Sequence, residues 1–324
     1  MLAAYFHPQQ GLCMQETCLP TRDSGQALLQ VLTAGICATD LEILAGYQDF
    51  QGIPGHEFVG LVLEAPDYTE LEGQRVVGDI NCGCGVCTWC QQGLPRHCPK
   101  RSALGIRGKD GVFAQYLTLP VGNLYPVPSG LEDQQAVWAE PLAAALEVSQ
   151  QIHITSRMRV AVLGDGKLGL LAALALRHYA PDLLLLGRHA SKLRLAAKQG
   201  VSTRLVQQGE PLDAQGFDLV VECTGRPQGL LTALELVRPQ GMIAIKTTCR
   251  QETSLDLSQV VVNELQLLGS RCGDLALALD FLAKGRLDVL PLVQAVMPLA
   301  EIHLALELAQ QSGSLKVLLE CSRQ

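Results

Sequence analysis

Strands with two apolar faces alternate with helical segments through the middle of this sequence, and this pattern constrains the fold most. The runs RVAVLG, DLLLLG, FDLVVECTG and GMIAIKT are apolar almost without a break, which is typical of strands buried on both faces. Between them, LGLLAALALRHY, KLRLAAKQG and GLLTALELV carry apolar residues at helical spacing. Such alternation predicts an α/β fold with a doubly wound parallel sheet, which we place at residues 141–286.

The sequence on either side of this domain has a different pattern. From residue 1 to 140, short β-like runs such as ALLQVLTAG, EFVGLVLEA and QRVVGDI are separated by Gly and Pro. This predicts an irregular β-rich domain that carries functional loops. Residues 287–324 add a helical segment, LAEIHLALELAQQS, and a final strand, LKVLLE.

A glycine-rich turn follows the first of the apolar strands. The segment VLGDGKLG supplies a G-x-G-x-x-G motif, with Lys167 and Leu168 between the last two glycines (Gly164, Gly166, Gly169). In a strand–turn–helix context these glycines allow a tight turn and close approach of a pyrophosphate to the helix N-terminus. The motif therefore predicts a dinucleotide site.

The end of the next strand indicates which dinucleotide. An acidic residue usually follows about 20 residues after the turn and binds the ribose 2′-hydroxyl. Here the strand is followed by Gly187, Arg188 and His189, and then by Lys192. Arg188 and Lys192 are able to pair with a 2′-phosphate. We therefore expect NADP(H) as the favoured cofactor, with NAD(H) also possible.

Five cysteines crowd the stretch NCGCGVCTWCQQGLPRHC. Cys84, Cys87, Cys90 and Cys98 have the spacing C-x2-C-x2-C-x7-C, which is able to close a tetrahedral sulfur shell around a structural zinc ion. A bacterial ferredoxin would have a last spacing of three residues rather than seven, and small apolar filler would not need this regular pattern. Cys82 lies outside the pattern.

Composition and charge exclude several classes of protein. The chain has 324 residues, of which 48% are hydrophobic and 18% charged, as expected for a globular protein with a large core. A net charge of −7 without a basic cluster argues against a nucleic-acid partner. The sequence shows neither a signal peptide nor a membrane span, so we expect a cytoplasmic protein whose 12 cysteines are thiols or metal ligands.

The cysteine spacing resembles the structural-zinc lobe of the zinc-dependent medium-chain dehydrogenase/reductase family, and the resemblance extends over nearly the whole chain. It implies a GroES-like catalytic domain made of residues 1–140 and 287–324 and a Rossmann domain made of 141–286, with the active site between them. The segments GICATD, GHE and EPLA are similar to those of the sorbitol and threonine dehydrogenase branch. By this resemblance Cys37, His56 and Glu140 bind a catalytic zinc ion, and Glu57 is an alternative or water-bridged ligand.

The physical case for this ligand set is separate. One thiolate, one neutral imidazole and one carboxylate balance the charge of Zn²⁺ and leave a fourth position open for water or substrate. Direct binding by both Glu57 and Glu140 would make the site one unit negative and the metal a poorer Lewis acid.

The resemblance also implies roles for neighbouring residues. Asp40 orients the ligand histidine, and Thr39 takes the proton from the alcohol. Many relatives pass this proton to a histidine at the position occupied here by Glu42, so the outward path differs. The VVECTG segment, with Thr224 and Gly225, would flank the nicotinamide half of the cofactor.

The resemblance implies an alcohol dehydrogenase that transfers hydride between a small alcohol or carbonyl compound and a nicotinamide cofactor. A secondary alcohol, polyol or amino alcohol is the expected substrate class, and relatives are usually homodimers or homotetramers. The alternatives are a zinc-free reductase, a catalytically weak or inactive scaffold or sensor of the same fold, and a zinc-ribbon nucleic-acid binder.

Overall fold

The computed structural model describes residues 1–207, 216–248 and 251–322. Its strands, in chain order, are β1 (Leu2–His7), β2 (Gly11–Glu16), β3 (Gln26–Gly35), β4 (Glu57–Glu64), β5 (Arg75–Gly78), β6 (Asn81–Cys82), β7 (Ser102–Ala103), β8 (Tyr116–Pro120), β9 (Leu124–Pro126), β10 (Val160–Leu163), β11 (Leu184–Gly187), β12 (Ser202–Leu205), β13 (Phe217–Glu222), β14 (Val237–Ile245), β15 (Gln266–Gly269), β16 (Val293–Pro298) and β17 (Lys316–Glu320).

The α-helices, in chain order, are α1 (Ala38–Leu44), α2 (Thr88–Gln91), α3 (Asp133–Ala136), α4 (Ala139–Gln151), α5 (Lys167–Leu176), α6 (Ala190–Lys198), α7 (Pro227–Leu236), α8 (Leu257–Val262), α9 (Leu275–Ala283) and α10 (Ile302–Gln310). Short 3₁₀ helices cover Tyr47–Asp49, Thr69–Leu71, Pro95–His97, Val121–Asn123, Leu290–Leu292 and Leu299–Glu301. No helix in the described part of the chain is long and apolar enough to cross a membrane.

The chain divides into two compact units. The first contains Met1–Glu140, Leu279–Lys284 and Val289–Gln324, and the second contains Pro141–Ala278 and Gly285–Asp288. The domain bounds drawn from the sequence stay a prediction.

The first unit is built on a mostly antiparallel sheet. Its strands run in the order β16-β17-β3-β4-β5-β9, and β8 pairs with β3 off this path. The runs ALLQVLTAG, EFVGLVLEA and QRVVGDI form β3, β4 and β5, and the final LKVLLE forms β17. Along β3, buried and half-buried residues alternate, because one face of the sheet packs on the core of this unit.

The second unit is a parallel sheet with the strand order β12-β11-β10-β13-β14-β15. The four apolar runs form β10, β11, β13 and part of β14, and the three helical segments form α5, α6 and α7. Every residue of β10 is buried, as its unbroken apolar sequence predicts. The predicted α/β fold with a doubly wound parallel sheet is therefore confirmed.

Candidate active site and metal centres

The four cysteines predicted to share a zinc ion lie together in the first unit. All four Sγ atoms are within 4.8 Å of one another, and Cys87 Sγ lies 3.6 Å from that of Cys90 and 3.7 Å from that of Cys98. Tetrahedral Zn–S bonds of about 2.3 Å place neighbouring sulfur atoms about 3.8 Å apart, whereas a disulfide needs about 2.05 Å. The sulfur geometry fits a zinc ion and not a disulfide.

Backbone groups of this lobe favour the thiolate form of one ligand. The N–H groups of Val86 and Cys87 lower the pKa of the Cys84 thiol to about 6, whereas burial raises the pKa of Cys90 to about 11. The thiolate is the form of cysteine that binds zinc, so this lowered pKa favours zinc binding by Cys84. Cys82 is buried but is not part of the group.

A second group able to hold a metal contains Cys37, His56 and Glu57, whose ligand atoms lie within 4.8 Å of one another. Sheet register explains how residues distant in sequence meet. In the antiparallel β3–β4 pair, Gly35 at the end of β3 lies opposite Glu57 at the start of β4. The residues just after β3 and just before β4 therefore come together.

Asp40 organises this group from the first turn of α1. Its Oδ2 accepts the backbone N–H of Cys37 at 2.8 Å, and its Oδ1 lies 3.0 Å from His56 Nδ1. Asp40 is 0% exposed and His56 is 3% exposed, so the contact is shielded from water. Because Nδ1 faces Asp40, the Nε2 of a neutral His56 is left to bind a metal.

The same contacts set the protonation of His56 when no metal is bound. Burial by itself lowers the pKa of His56, but contacts with Asp40 and Cys37 outweigh burial and raise this pKa well above its usual value. The site is therefore strongly electronegative, which favours a divalent cation.

The structure adds a residue that the sequence reasoning missed. Lys316, at the start of β17, is 1% exposed, and its Nζ contacts Glu57 Oε2 directly. Its Nζ also lies 5.0 Å from the ring centroid of Trp138, a cation–π distance. Burial lowers the pKa of Lys316, but Glu57 and Cys37 reverse this effect and raise it, so the side chain is a cation.

Lys316 satisfies only one oxygen of Glu57. The other, Oε1, is buried and has no hydrogen-bond partner in the described part of the chain. A buried carboxylate oxygen without a partner is costly, and a metal ion beside Cys37 and His56 would satisfy it. This oxygen and the thiolate–imidazole–carboxylate chemistry of the group fit a zinc ion.

Glu140, which the sequence predicted as the third ligand, lies in the first turn of α4. Burial raises the pKa of its carboxyl to about 7; the charges of His56 and Lys316 lower this pKa, and that of Glu57 raises it. Glu140 is thus in electrostatic reach of the cluster but outside the group whose ligand atoms lie within 4.8 Å. The structure brings Glu57, rather than Glu140, into that group, and the ligand role of Glu140 stays a prediction.

The two residues predicted to move a proton differ in position. Thr39 is half-buried, and its Oγ1 lies 3.8 Å from Cys37 Sγ, beside the cluster. Glu42 is exposed on α1. The structure therefore places Thr39 beside the cluster and Glu42 toward solvent, and their roles in proton transfer stay a prediction.

The predicted dinucleotide turn joins β10 to α5, and α5 begins at Lys167. Gly164 has φ 110°, which favours glycine. A Cβ at Gly169 would lie 1.9 Å from the carbonyl oxygen of Gly164, so only glycine lets the helix approach the strand. A Cβ at Gly166 would meet no atom within 4 Å, so the open space there is available to a phosphate group.

The other predicted cofactor residues fall into two groups. At the end of β13, Thr224 Oγ1 donates to Glu222 Oε1 at 2.6 Å, and the N–H of Gly225 donates to Thr247 Oγ1 at 2.9 Å. After β11, Arg188 is exposed, whereas Lys192 is buried. Burial lowers the pKa of Lys192, and Asp165 partly opposes this effect.

A parallel sheet with a glycine-rich dinucleotide turn, in a chain that also carries a four-cysteine lobe and a thiolate–imidazole–carboxylate group, defines a metal-dependent dehydrogenase. Two family models match the chain: the alcohol dehydrogenase GroES-like domain over residues 23–129 and the zinc-binding dehydrogenase over residues 168–284. An L-threonine 3-dehydrogenase of Streptomyces coelicolor is 30% identical over 305 residues, which cover 88% of this chain and 89% of the relative.

Solved structures of similar fold are also dehydrogenases with a bound nicotinamide cofactor. An alcohol dehydrogenase from E. coli CFT073, complexed with NADH, has 25% identity and a TM-score of 0.92, with 99% of each chain covered. A Sinorhizobium meliloti 1021 protein bound to NADP has 27% identity and a TM-score of 0.89, with 98% of each chain covered. The chain belongs to the zinc-dependent medium-chain dehydrogenase/reductase family and is an alcohol oxidoreductase that uses zinc and a nicotinamide cofactor. These findings support the enzyme and not the alternative of an inactive scaffold.

Proposed function

We propose that this enzyme oxidises a small polar alcohol, either a secondary alcohol, a polyol or an amino alcohol, and reduces the matching carbonyl compound. The observation that carries the proposal is the Asp40-organised group of Cys37, His56 and Glu57, with the Thr39 hydroxyl beside it. A zinc ion held by Cys37, His56 and a neighbouring carboxylate would polarise the substrate oxygen and lower its pKa.

The chain's own residues perform the remaining tasks. Thr39 Oγ1 accepts the proton of the substrate hydroxyl while its own hydroxyl proton passes on to water, so Thr39 stays neutral and the substrate oxygen is able to form the carbonyl group. Asp40 fixes the ring of His56 and the backbone of Cys37, so that two ligands keep one geometry. The glycine-rich turn and the N-terminus of α5 bind the cofactor diphosphate. The nicotinamide cofactor supplies the hydride acceptor.

Lys316 keeps the charge of the metal site low. Among the candidate ligands, Cys37, Glu57 and Glu140 would bring three negative charges when all are ionised, and Lys316 offsets one of them through its contact with Glu57. A divalent ion cancels the other two. We infer that Glu57 stays in the site as a partner of Lys316 and as a reserve ligand, with Glu140 as the proposed third ligand.

The cofactor preference is part of the proposal. Arg188 is exposed just after β11, where it is able to reach a 2′-phosphate, and this supports NADP(H) as the favoured form. Lys192 is buried and is a weaker candidate for the same role.

We also propose a homodimer or homotetramer in the cytoplasm. The helix α8 exposes Val262 by 79% and Val261 by 74%; it precedes β15, the edge strand of the parallel sheet, in the chain, and these exposed apolar residues are suited to a second copy. None of the described cysteines is paired in a disulfide, which suits a reducing compartment. Light scattering of the purified protein tests the oligomeric state.

Zinc content per chain tests the central proposal, measured on the wild type and on Cys37→Ser. Two zinc ions falling to one, together with loss of activity toward polyols and small alcohols tested with NADP⁺ and NAD⁺, would support separate structural and catalytic sites. One zinc ion in both proteins would contradict the catalytic assignment of Cys37.

A further inference from the structure

Asp165 lies between the first two glycines of the dinucleotide turn and is only 6% exposed. Its Oδ2 accepts the backbone N–H of Arg188 at 2.9 Å and that of His189 at 2.6 Å. His189 Nδ1 lies 3.0 Å from Oδ1 and 3.1 Å from Oδ2. The carboxylate is thus held at the end of β11 by three groups that follow this strand.

The position of this carboxylate explains why β11 ends in glycine. A Cβ at Gly187 would lie 2.6 Å from Asp165 Cβ and 2.7 Å from its Oδ2. In dinucleotide-binding folds, the acidic side chain that meets the adenosine ribose comes from the end of this strand. Here the strand has no side chain at that point, and the carboxylate of the preceding turn fills the adjacent space.

The Asp165 carboxylate has two consequences for an anion at this strand end. The N–H groups of Arg188 and His189, which precede α6, donate to Asp165 and are not available to a phosphate. The negative charge of Asp165 also repels a phosphate. Two cationic side chains near this strand end would instead attract a phosphate. Arg188 is exposed, whereas Lys192 is buried.

We propose that Asp165 is a specificity-determining residue for the cofactor: it disfavours the adenosine 2′-phosphate at the strand end where Arg188 favours it. The opposition of these two charges keeps discrimination between NADP(H) and NAD(H) small. This inference rests on the proposed dinucleotide-binding function. It gives a role to Asp165, which occupies a variable position of the G-x-G-x-x-G motif.

The test compares binding of ADP-ribose and 2′-phospho-ADP-ribose by isothermal titration calorimetry, without turnover. Asp165→Asn removes the charge and keeps the shape, and Asp165→Ala also opens the two N–H groups. Both are expected to shift the affinity ratio toward the 2′-phosphate by about tenfold, or about 1.4 kcal/mol. Arg188→Gln should shift the ratio the other way. Asp182→Asn, an exposed aspartate before β11, is the charge-matched control and should leave the ratio unchanged.

The outcomes separate this inference from the function on which it rests. If the wild type binds neither ligand, the dinucleotide site itself is wrong, and the proposed function and the role of Asp165 fail together. If the wild type and both Asp165 variants bind with the same ratio to within twofold, only the role of Asp165 is overturned. It is also overturned if both variants bind neither ligand while the wild type binds both, because Asp165 would then act only on folding of the turn.

Discussion

Replacement of Lys316 by methionine tests the buried ion pair at the metal cluster. The substitution keeps most of the side-chain volume and removes the cation, which leaves the Glu57 carboxylate buried without its partner. Both side chains are almost fully buried, at 2% and 1% exposure, so water cannot replace the lost contact. Breaking such a pair by removing one member costs about 3–5 kcal/mol of folding free energy.

The pairing makes a second variant informative. In the double variant Lys316→Met with Glu57→Gln, no unpaired charge remains, and buried ion pairs are often replaced by neutral side chains at little cost. We expect the double variant to recover most of the stability lost in Lys316→Met. Lys284→Met is a matched control, because Lys284 pairs with Asp280 at the surface with 58% and 42% exposure, and such pairs contribute about 0–1 kcal/mol.

Urea unfolding of the metal-free proteins, followed by tryptophan fluorescence, measures these differences. Both tryptophans, Trp89 and Trp138, belong to the unit that contains Lys316, so the signal reports unfolding of that unit. The reasoning is refuted if Lys316→Met costs no more than Lys284→Met. It is also refuted if the double variant is as unstable as the single one.

Three further predictions concern the metal site, the glycine turn and acid stability. Asp40→Asn should weaken binding of the second zinc ion by about 10–100-fold in a chelator competition, because Asp40 orients His56; unchanged affinity would contradict this role. Gly169→Ala should abolish binding of ADP-ribose, since its Cβ would lie 1.9 Å from the Gly164 oxygen, and binding at wild-type strength would refute the close packing. Burial alone raises the pKa of Asp218, but the N–H of Arg159 and the Arg238 guanidinium outweigh it and lower this pKa. Asp218 therefore stabilises the fold above the usual aspartate pKa of about 3.9 and loses this effect as the pH falls through its lowered value. Asp218→Asn should reduce the acid sensitivity of unfolding measured from pH 5 to pH 2, and an unchanged profile would contradict the assignment.

The central strands of the parallel sheet were predictable because both their faces are buried, which leaves an unbroken apolar run. The two edge strands lacked this signal. In β12, the sequence STRL places exposed and half-buried residues at the edge, and β15 shows a similar pattern. Because these edge strands are not fully buried, they do not need a continuous apolar run. The sequence pattern alone therefore did not distinguish them from loops.

The two metal groups also differ in how much of each could be predicted from the sequence. The four-cysteine lobe is local, since its ligands come from one short segment, and spacing alone predicts that they meet. Lys316 is 259 residues from Glu57 in sequence, and only strand pairing at β3 brings β4 and β17 together. One signal was present: a single lysine at the start of the apolar run KVLLE is unusual, because lysine is rarely buried without a partner.

The charge of Lys316 bears on whether Glu57 or Glu140 is the third metal ligand. A site in which Glu57 and Glu140 both stay ionised beside Cys37 carries one negative charge more than a divalent ion cancels, and the sequence alone offered no cation to remove it. Lys316 supplies that cation where the excess carboxylate lies, through its direct contact with Glu57. This contact would let Glu57 remain as the proposed reserve ligand while a metal in the site stays a strong Lewis acid. Because Lys316 lies at the start of β17, we expect the pairing of β17 with β3 to be needed for a working metal site.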